Sequence, residues 1–233
     1  MEHVSGRLFV AAVVATAAVA STLAGTAAAV PPAVPPASCT ANPYAYAGLF
    51  SNSPAQGITA VVTPLLVAHV PSGHVAGWIG VGGPNAGPGG KPEWLQTGLN
   101  TIAGGQSQLY AEIAQPGLAI KYVTLAATLK PGSSYRLAVE QLPGKTGVWQ
   151  VLVNGKAATG KIYLPQSSNF APMAMSESWN GGTPTCNGYS YRFTHLQINT
   201  NGGWQPLTNA STLTDTGYTI ANRTTAGFTA LSA

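Results

Sequence analysis

The sequence predicts an all-β protein, an antiparallel β-sandwich or jelly roll. From about Ser38 onward, β-branched and aromatic residues occur in short runs that are broken by Gly, Pro, Asn and Ser, which is the pattern of short strands joined by turns. No window of helical length carries an apolar stripe with the 3.6-residue period of a helix. Many short strands within about 200 residues are typical of two packed antiparallel sheets.

The N-terminal residues predict export from the cell. Arg7 is followed by an apolar stretch from Leu8 to about Ala24 and then by the small residues 26–29, so residues 1–29 are predicted to be a signal peptide with a cleavage site at its end. An uncleaved transmembrane anchor is the alternative, because the apolar run approaches the roughly 20 residues of a spanning helix. We therefore expect a secreted, extracellular protein.

A proline-rich segment separates the leader from the predicted domain. Residues 30–37 read Val-Pro-Pro-Ala-Val-Pro-Pro-Ala, a composition typical of an extended polyproline linker. The remaining residues, 38–233, suffice for one well-cored domain. We expect a soluble monomer.

The two cysteines of the chain predict one disulfide. Cys39 and Cys186 both lie in the exported part, and oxidising compartments favour their pairing. Two unpaired buried thiols are the alternative, which is uncommon outside the cytosol.

Charge is scarce and scattered. The chain has ten Lys and Arg residues against six Asp and Glu residues, and one residue of each kind, Arg7 and Glu2, belongs to the leader. The basic residues form no cluster with interleaved aromatic residues, which argues against a nucleic-acid partner and against a polybasic membrane surface.

Several segments alternate clearly between apolar and polar residues. Residues 134–140 place large apolar side chains at every second position, as does the segment 149–153, and both patterns predict half-buried strands. Asn154-Gly155 directly follows the second segment and favours a two-residue hairpin turn. In the segment 189–198 the alternation slips by one residue before Leu196, which predicts a β-bulge.

The few ionisable residues limit the chemistry. The sequence has no His/Cys/Asp/Glu cluster at metal-ligand spacing, no phosphate-binding glycine loop and no Gly-x-Ser-x-Gly elbow, so we expect neither a metal nor a cofactor. His69 and His74 lie far from His195 in the sequence. A Ser-His-Asp triad would have to use Asp215, the only aspartate, and no local pattern marks a nucleophilic serine.

Two strand-like segments carry the remaining candidates. Because side chains alternate between the faces of a strand, Leu95 and Leu99 should face the core while Gln96 points to the opposite, accessible side. By the same rule Met175 and Glu177 share one face.

The order of these motifs resembles a known family. Trp78-Ile-Gly-Val-Gly82, then Leu95-Gln-Thr-Gly98, Tyr110-Ala-Glu112 and a late Glu177 are similar to the glutamic peptidases of the eqolisin (G1) family over roughly residues 56–200. In that family the first motif usually carries an acidic residue at the position of Gly82, and a tryptophan stands next to the glutamate where this chain has Ser178.

The resemblance implies a concanavalin A-like jelly roll of two seven-stranded antiparallel sheets and a secreted, acid-acting endopeptidase. Gln96 and Glu177 would be the catalytic pair: Glu177 takes a proton from the attacking water, and the Gln96 amide stabilises the oxyanion. The partner would be a polypeptide substrate, contacted by five further residues: Trp78, Trp94, Tyr110, Glu112 and Trp179.

Two other functions fit the same residues. A lectin-like module would use the exposed aromatic rings and the Gln96 amide to hold sugars without turnover. A jelly-roll glycosidase would use Glu112 and Glu177 as paired carboxylates, with about 5–5.5 Å between them for retention or 6.5–9.5 Å for inversion.

Overall fold

Strands account for nearly all the regular structure of the chain. A computed structural model describes residues 44–179, 186–201 and 203–232. The predicted signal peptide, the proline-rich linker and Cys39 lie outside the described residues, so their predictions, including the Cys39–Cys186 disulfide, stay predictions. Cys186 itself is buried.

The first sheet has seven antiparallel strands and carries all the candidate catalytic residues. Its strands are β1 (Tyr44–Ser51), β3 (His74–Gly83), β4 (Glu93–Ile102), β5 (Ser107–Ala114), β6 (Lys121–Ala126), β11 (Pro172–Trp179) and β14 (Ala210–Thr214). Their spatial order is β14-β1-β11-β3-β4-β5-β6. A short 3₁₀ turn, Pro88–Gly90, lies in the connection between β3 and β4.

The second sheet contains nine strands within the described ranges. They are β2 (Gly57–Pro64), β7 (Tyr135–Gln141), β8 (Val148–Val153), β9 (Lys156–Ala157), β10 (Ile162–Tyr163), β12 (Ser190–Thr200), β13 (Gly203–Pro206), β15 (Tyr218–Thr224) and β16 (Gly227–Ser232). Seven follow the order β10-β8-β7-β2-β12-β16-β15, while β9 pairs with β8 and β13 with β12. The expectation of seven strands in each sheet is therefore wrong for this sheet, because two short hairpin strands extend it.

The core lies between the two sheets and is made by alternate residues of each strand. Fully buried side chains project inward from both sheets, among them Leu49, Ile79, Leu95, Leu99, Ile58, Leu137, Trp149, Phe193 and Phe228. Each such side chain contributes about 1.5–3 kcal/mol by leaving water. The all-β antiparallel sandwich predicted from the sequence is confirmed.

Local predictions agree with the backbone. Residues 134–140 fall on β7, where Leu137 and Val139 are buried. Asn154 and Gly155 both have positive φ, 51° and 77°, as a tight hairpin between β8 and β9 requires. The register of β12 against β2 shifts between Thr194 and Gln197, which confirms the predicted bulge.

No helix within the described ranges is long and apolar enough to cross a membrane.

Candidate active site

A groove of about 450 Å³ runs across the face of the first sheet that is turned away from the core. Most of its lining is aromatic or aliphatic, including Tyr44, Tyr46, Trp78, Val81, Trp94, Met173, Met175 and Leu213. Four of its lining residues carry the polar chemistry: His74, Gln96, Glu112 and Glu177. An apolar cleft with a few convergent polar groups is the usual form of a ligand site.

The alternation of side chains along each strand decides which residues face the groove and which face the core. On β4, Leu95 and Leu99 are buried in the core while Gln96 faces the groove. On β11, Ala174 joins the core while Met175 and Glu177 face the groove. Both predictions of side-chain direction are confirmed, because the pleat sends successive side chains to opposite faces.

Glu177 is the most firmly held of the polar groups. The residue is only 7% exposed, and each carboxylate oxygen has a ring nitrogen as its partner: His74 Nε2 lies 2.8 Å from Oε1, and Trp78 Nε1 donates to Oε2 at 3.2 Å. An ionised carboxylate only accepts hydrogen bonds, so His74 Nε2 is the donor. Both donors come from β3, which pairs with β11.

Gln96 enters the groove from β4, on the other side of β3. Its Nε2 donates to Tyr110 Oη at 3.3 Å. Tyr110 is buried beneath the groove in a small apolar cluster with Trp78 and Met175, and its ring stacks on Tyr122 at 5.2 Å between centroids. Tyr110 thus supports Gln96 from below, whereas the sequence reading expected it to contact substrate.

Glu112 is the cross-strand neighbour of Gln96, since the two residues pair directly in the register of β4 and β5. Burial raises the pKa of Glu112, and the negative charge of Glu177 raises it further. The indole of Trp94 and the His74 side chain act in the opposite direction. Within the described residues, Trp94 Nε1 is buried and has no partner in full hydrogen-bonding geometry, so its interaction with Glu112 is weaker than a well-formed hydrogen bond.

Trp78 lies between the two proposed catalytic residues. Glu177 pairs with Ala76 and Gln96 with Gly80, so they stand four residues apart along β3, on either side of it. Strand rise and spacing put their Cα atoms roughly 16 Å apart. Both side chains rise from the groove face of the sheet, with the indole of Trp78 between them.

Trp179, which was expected to contact substrate, lies beside His74 and is not among the residues that line the groove. Its ring stacks on His74 with 5.5 Å between centroids, and 38% of the residue is exposed. Trp179 is therefore at the margin of the groove, where it buttresses His74.

Solved structures share this architecture. Scytalido-glutamic peptidase bound to a transition-state analogue inhibitor superposes with a TM-score of 0.59 and 14% identity, covering 83% of this chain and all of that one. Its complex with a peptide-based transition-state analogue gives 0.57 at 12% identity over 83% and 98% of the two chains. SCP-B, a member of the eqolisin family in complex with the tripeptide Ala-Ile-His, gives 0.55 at 11% identity with the same coverage.

The fold is that of the eqolisin glutamic peptidases. The resemblance predicted from the order of the motifs is thus confirmed at the level of the fold. No family model matches the sequence, and no curated protein matches it either.

One departure from the eqolisin pattern has a backbone cause. Gly82, which stands where eqolisins usually carry an acid, has φ +86°, and a Cβ at this position would overlap the carbonyl oxygen of Glu93. A side chain there would be strained as well as crowded. The carboxylate beside Gln96 is instead that of Glu112 on β5, which pairs with β4 on the side away from β3.

Sequence reasoning missed the site positions of His74, Tyr44, Tyr46 and Leu213 on β14. His74 has the same strand parity as Trp78, and that signal was available. Its contact with Glu177 depends on the pairing of β3 with a strand about 100 residues later, which no local pattern shows. Within the described ranges, no group of three or more His, Cys, Asp and Glu residues is arranged to hold a metal ion.

Proposed function

We propose that this protein is a secreted glutamic endopeptidase that hydrolyses polypeptides at acidic pH with Glu177 and Gln96. The observation that carries the proposal is a buried glutamate whose two oxygens are held by His74 and Trp78, facing an amide across an apolar groove. Fixed donors keep a carboxylate ionised and oriented inside an apolar site, which is what a general base needs.

The reaction follows from the positions of the two residues. A peptide lies above Trp78 with its scissile carbonyl between Gln96 and Glu177. Glu177 takes a proton from a water, the water oxygen bonds to the carbonyl carbon, and the carbonyl oxygen becomes an oxyanion. The C–N bond then breaks as Glu177 returns the proton to the departing nitrogen, which leaves a carboxylic acid and an amine.

Gln96 is suited to the oxyanion. A glutamine amide has two N–H donors, and Tyr110 accepts only one of them. The second donor is available to the developing negative charge, and its direction is set by the bond to Tyr110. Preorganised donors of this kind supply a large part of the rate in acyl-transfer sites.

The lining of the groove supports a polypeptide substrate with large apolar side chains. Tyrosine, tryptophan, methionine and leucine side chains surround the polar groups, and apolar contacts there gain free energy by releasing water. The absence of a basic cluster in the sequence favours an apolar rather than an anionic substrate.

Acid action is supported by Glu112. Because burial and the charge of Glu177 raise the pKa of Glu112, this carboxyl is neutral over more of the acid range than an ordinary glutamate. A neutral Glu112 does not compete with Glu177 for the proton of the water, and it can donate a hydrogen bond to the substrate near Gln96.

The test is digestion of a denatured protein across about pH 2–7 by the mature chain, with an aspartic-peptidase inhibitor present. We expect cleavage by the unaltered protein and none above background by Glu177→Gln. Glu140→Gln is the matched control, because Glu140 lies on β7 of the other sheet and is bonded to Gln150. Absence of cleavage at every pH would favour a binding module on the same sandwich.

A glycosidase is the second candidate, and one observation favours it. Glu112 and Glu177 line the same groove, close enough for the charge of one to raise the pKa of the other. A glycosidase that uses both carboxylates should lose all activity in Glu112→Gln and little in Gln96→Ala. The peptidase should show the reverse order.

A further inference from the structure

We propose that His74 is a positioning residue for Glu177, which holds the carboxylate in its ionised form and extends activity toward lower pH. This inference rests on the proposed function, because it assigns a partner to the proposed base. It starts from the 2.8 Å contact between His74 Nε2 and Glu177 Oε1, which nothing in the motif pattern required.

The contact joins two side chains that are at least partly buried and held by their neighbours. Glu177 is 9% exposed at its side chain and His74 28%, so the carboxylate is largely shielded from water and the imidazole partly so. The Trp179 ring stacks against the imidazole. Two restraints, the stacked ring and the hydrogen bond, therefore define the orientation of His74.

The backbone beneath the pair is also held. Asn187 is fully buried, and its Nδ2 lies 2.9 Å from the carbonyl oxygen of Ser72, 3.1 Å from Ser178 Oγ and 3.5 Å from the carbonyl oxygen of His74. One amide thus ties the start of β3 to the residue that follows Glu177. The His74–Glu177 geometry is preorganised from the core side.

The two donors to Glu177 differ in charge. The indole of Trp78 is a neutral donor at every pH, whereas the imidazole of His74 becomes cationic in acid. An adjacent cation stabilises a negatively charged carboxylate, so the contribution of His74 is largest when its imidazole is charged. That is the property an acid-acting base requires.

The other ionisable groups near Glu177 do not supply this charge. The charge of Glu177 raises the pKa of five neighbouring groups: Tyr44 and Tyr46 on β1, Tyr110 and Glu112 on β5, and Tyr189. Burial raises the pKa of each of these tyrosines, which keeps them neutral in acid, and Glu112 is of the same sign as Glu177. Among these groups and His74, only the imidazole offers a positive charge.

The first test is the pH dependence of kcat/KM for an unstructured peptide, with His74→Ala and His74→Gln beside the unaltered protein. We expect His74→Ala to lose about 10- to 100-fold, the range for a hydrogen bond to a charged group, with KM nearly unchanged. His74→Gln keeps a donor without a charge, so it should recover part of kcat while its low-pH limb moves up by about one pH unit.

Added imidazole should restore part of the activity of His74→Ala, because it supplies the missing donor. His195→Asn is the matched control: His195 is an exposed residue at the β12 bulge with φ 53°, a conformation that asparagine tolerates. Equal pH profiles for His74→Gln and the unaltered protein, or a loss that lies wholly in KM, would overturn the inference.

A second measurement does not depend on turnover. In a ¹⁵N-edited proton spectrum the His74 Nε2–H, bonded to a carboxylate, should appear far downfield at acid pH, and Glu177→Gln should move it upfield. An unmoved resonance overturns the pair. A moved resonance without any Glu177-dependent cleavage supports the pair and overturns the proposed peptidase function.

Discussion

The two glutamates of the groove are held in opposite ways. Glu177, on β11, has a ring N–H on each oxygen and an imidazole as one of its partners. Glu112, on β5, is buried beside a like charge, and its pKa is raised. Two identical side chains in one groove thus have different surroundings, and such differences are how acid and base roles are divided in many hydrolytic sites.

This comparison teaches that the strand pairing, more than the residue type, assigns the chemistry. Glu177 gains its partners because β11 lies beside β3, which carries both His74 and Trp78. Glu112 gains Gln96 as its neighbour because β5 lies beside β4.

The largest expected effect comes from replacing the Glu177 carboxylate with an amide. Glu177→Gln should lower kcat by about 10³-fold or more, since the base is lost while the shape is kept. The measurement is single-turnover cleavage of a peptide, with Glu140→Gln as the control. Activity within tenfold of the unaltered protein would make Glu112 the better candidate for the base.

The second-largest expected effect tests whether Gln96 takes part in the catalytic step with Glu177 or binds substrate beside Glu112. Gln96→Ala should reduce kcat by about 100-fold, as for loss of one oxyanion donor, with little change in KM. Gln205→Ala on β13 of the other sheet, where the amide nitrogen donates to Thr200 Oγ1, is the control. A large rise in KM alone would assign Gln96 to substrate binding.

A third prediction displaces Gln96 by adding a methyl group to Gly80, its cross-strand neighbour on β3. A Cβ on Gly80 would lie 2.8 Å from Gln96 Cβ and 2.8 Å from the carbonyl oxygen of Leu95, so Gly80→Ala should cost about 1–3 kcal/mol of unfolding free energy. Gly83→Ala is the matched control, because nothing lies within 4 Å of its added Cβ. Denaturant unfolding of both variants checks the difference, and equal values would contradict the close contact.

The smallest effect is on stability and concerns Glu112. Its raised pKa means that ionising it costs free energy in the folded state, a cost that is present near neutral pH and disappears as pH falls below the pKa of an unfolded glutamate. Glu112→Gln should therefore raise Tm at pH 7, by about 2–4 °C for each kcal/mol relieved, and leave it unchanged near pH 3. A gain that persists in acid would point to packing instead of charge.

Much of the sandwich could be predicted because its signals are local. Alternation over 134–140 and 149–153, the Asn154-Gly155 turn and the slip near His195 each depend on a few neighbouring residues, and the structure agrees with all of them. The direction of Gln96 followed from the same alternation. The two extra strands of the second sheet, β9 and β13, are too short to give such a signal.

The site was predictable only in part, because its contacts join distant segments. Trp78 was expected to contact the substrate, yet it also donates a hydrogen bond to Glu177, 99 residues away. Tyr110 was expected to touch substrate, yet it lies beneath Gln96. In both cases the residue was identified and its role depended on which strands became neighbours.

The sequence by itself determined which side chains leave the core and which chemistry is present, since alternation and composition are properties of short segments. It contained the Gln96 amide, the carboxylates of Glu112 and Glu177, and a histidine, His74, of the same strand parity as Trp78. Only the tertiary structure decided which of these meet, because pairing β11 with β3 brings Glu177 to His74 and Trp78. Register between strands far apart in the chain is set by the packing of the whole sandwich, and no local pattern encodes it.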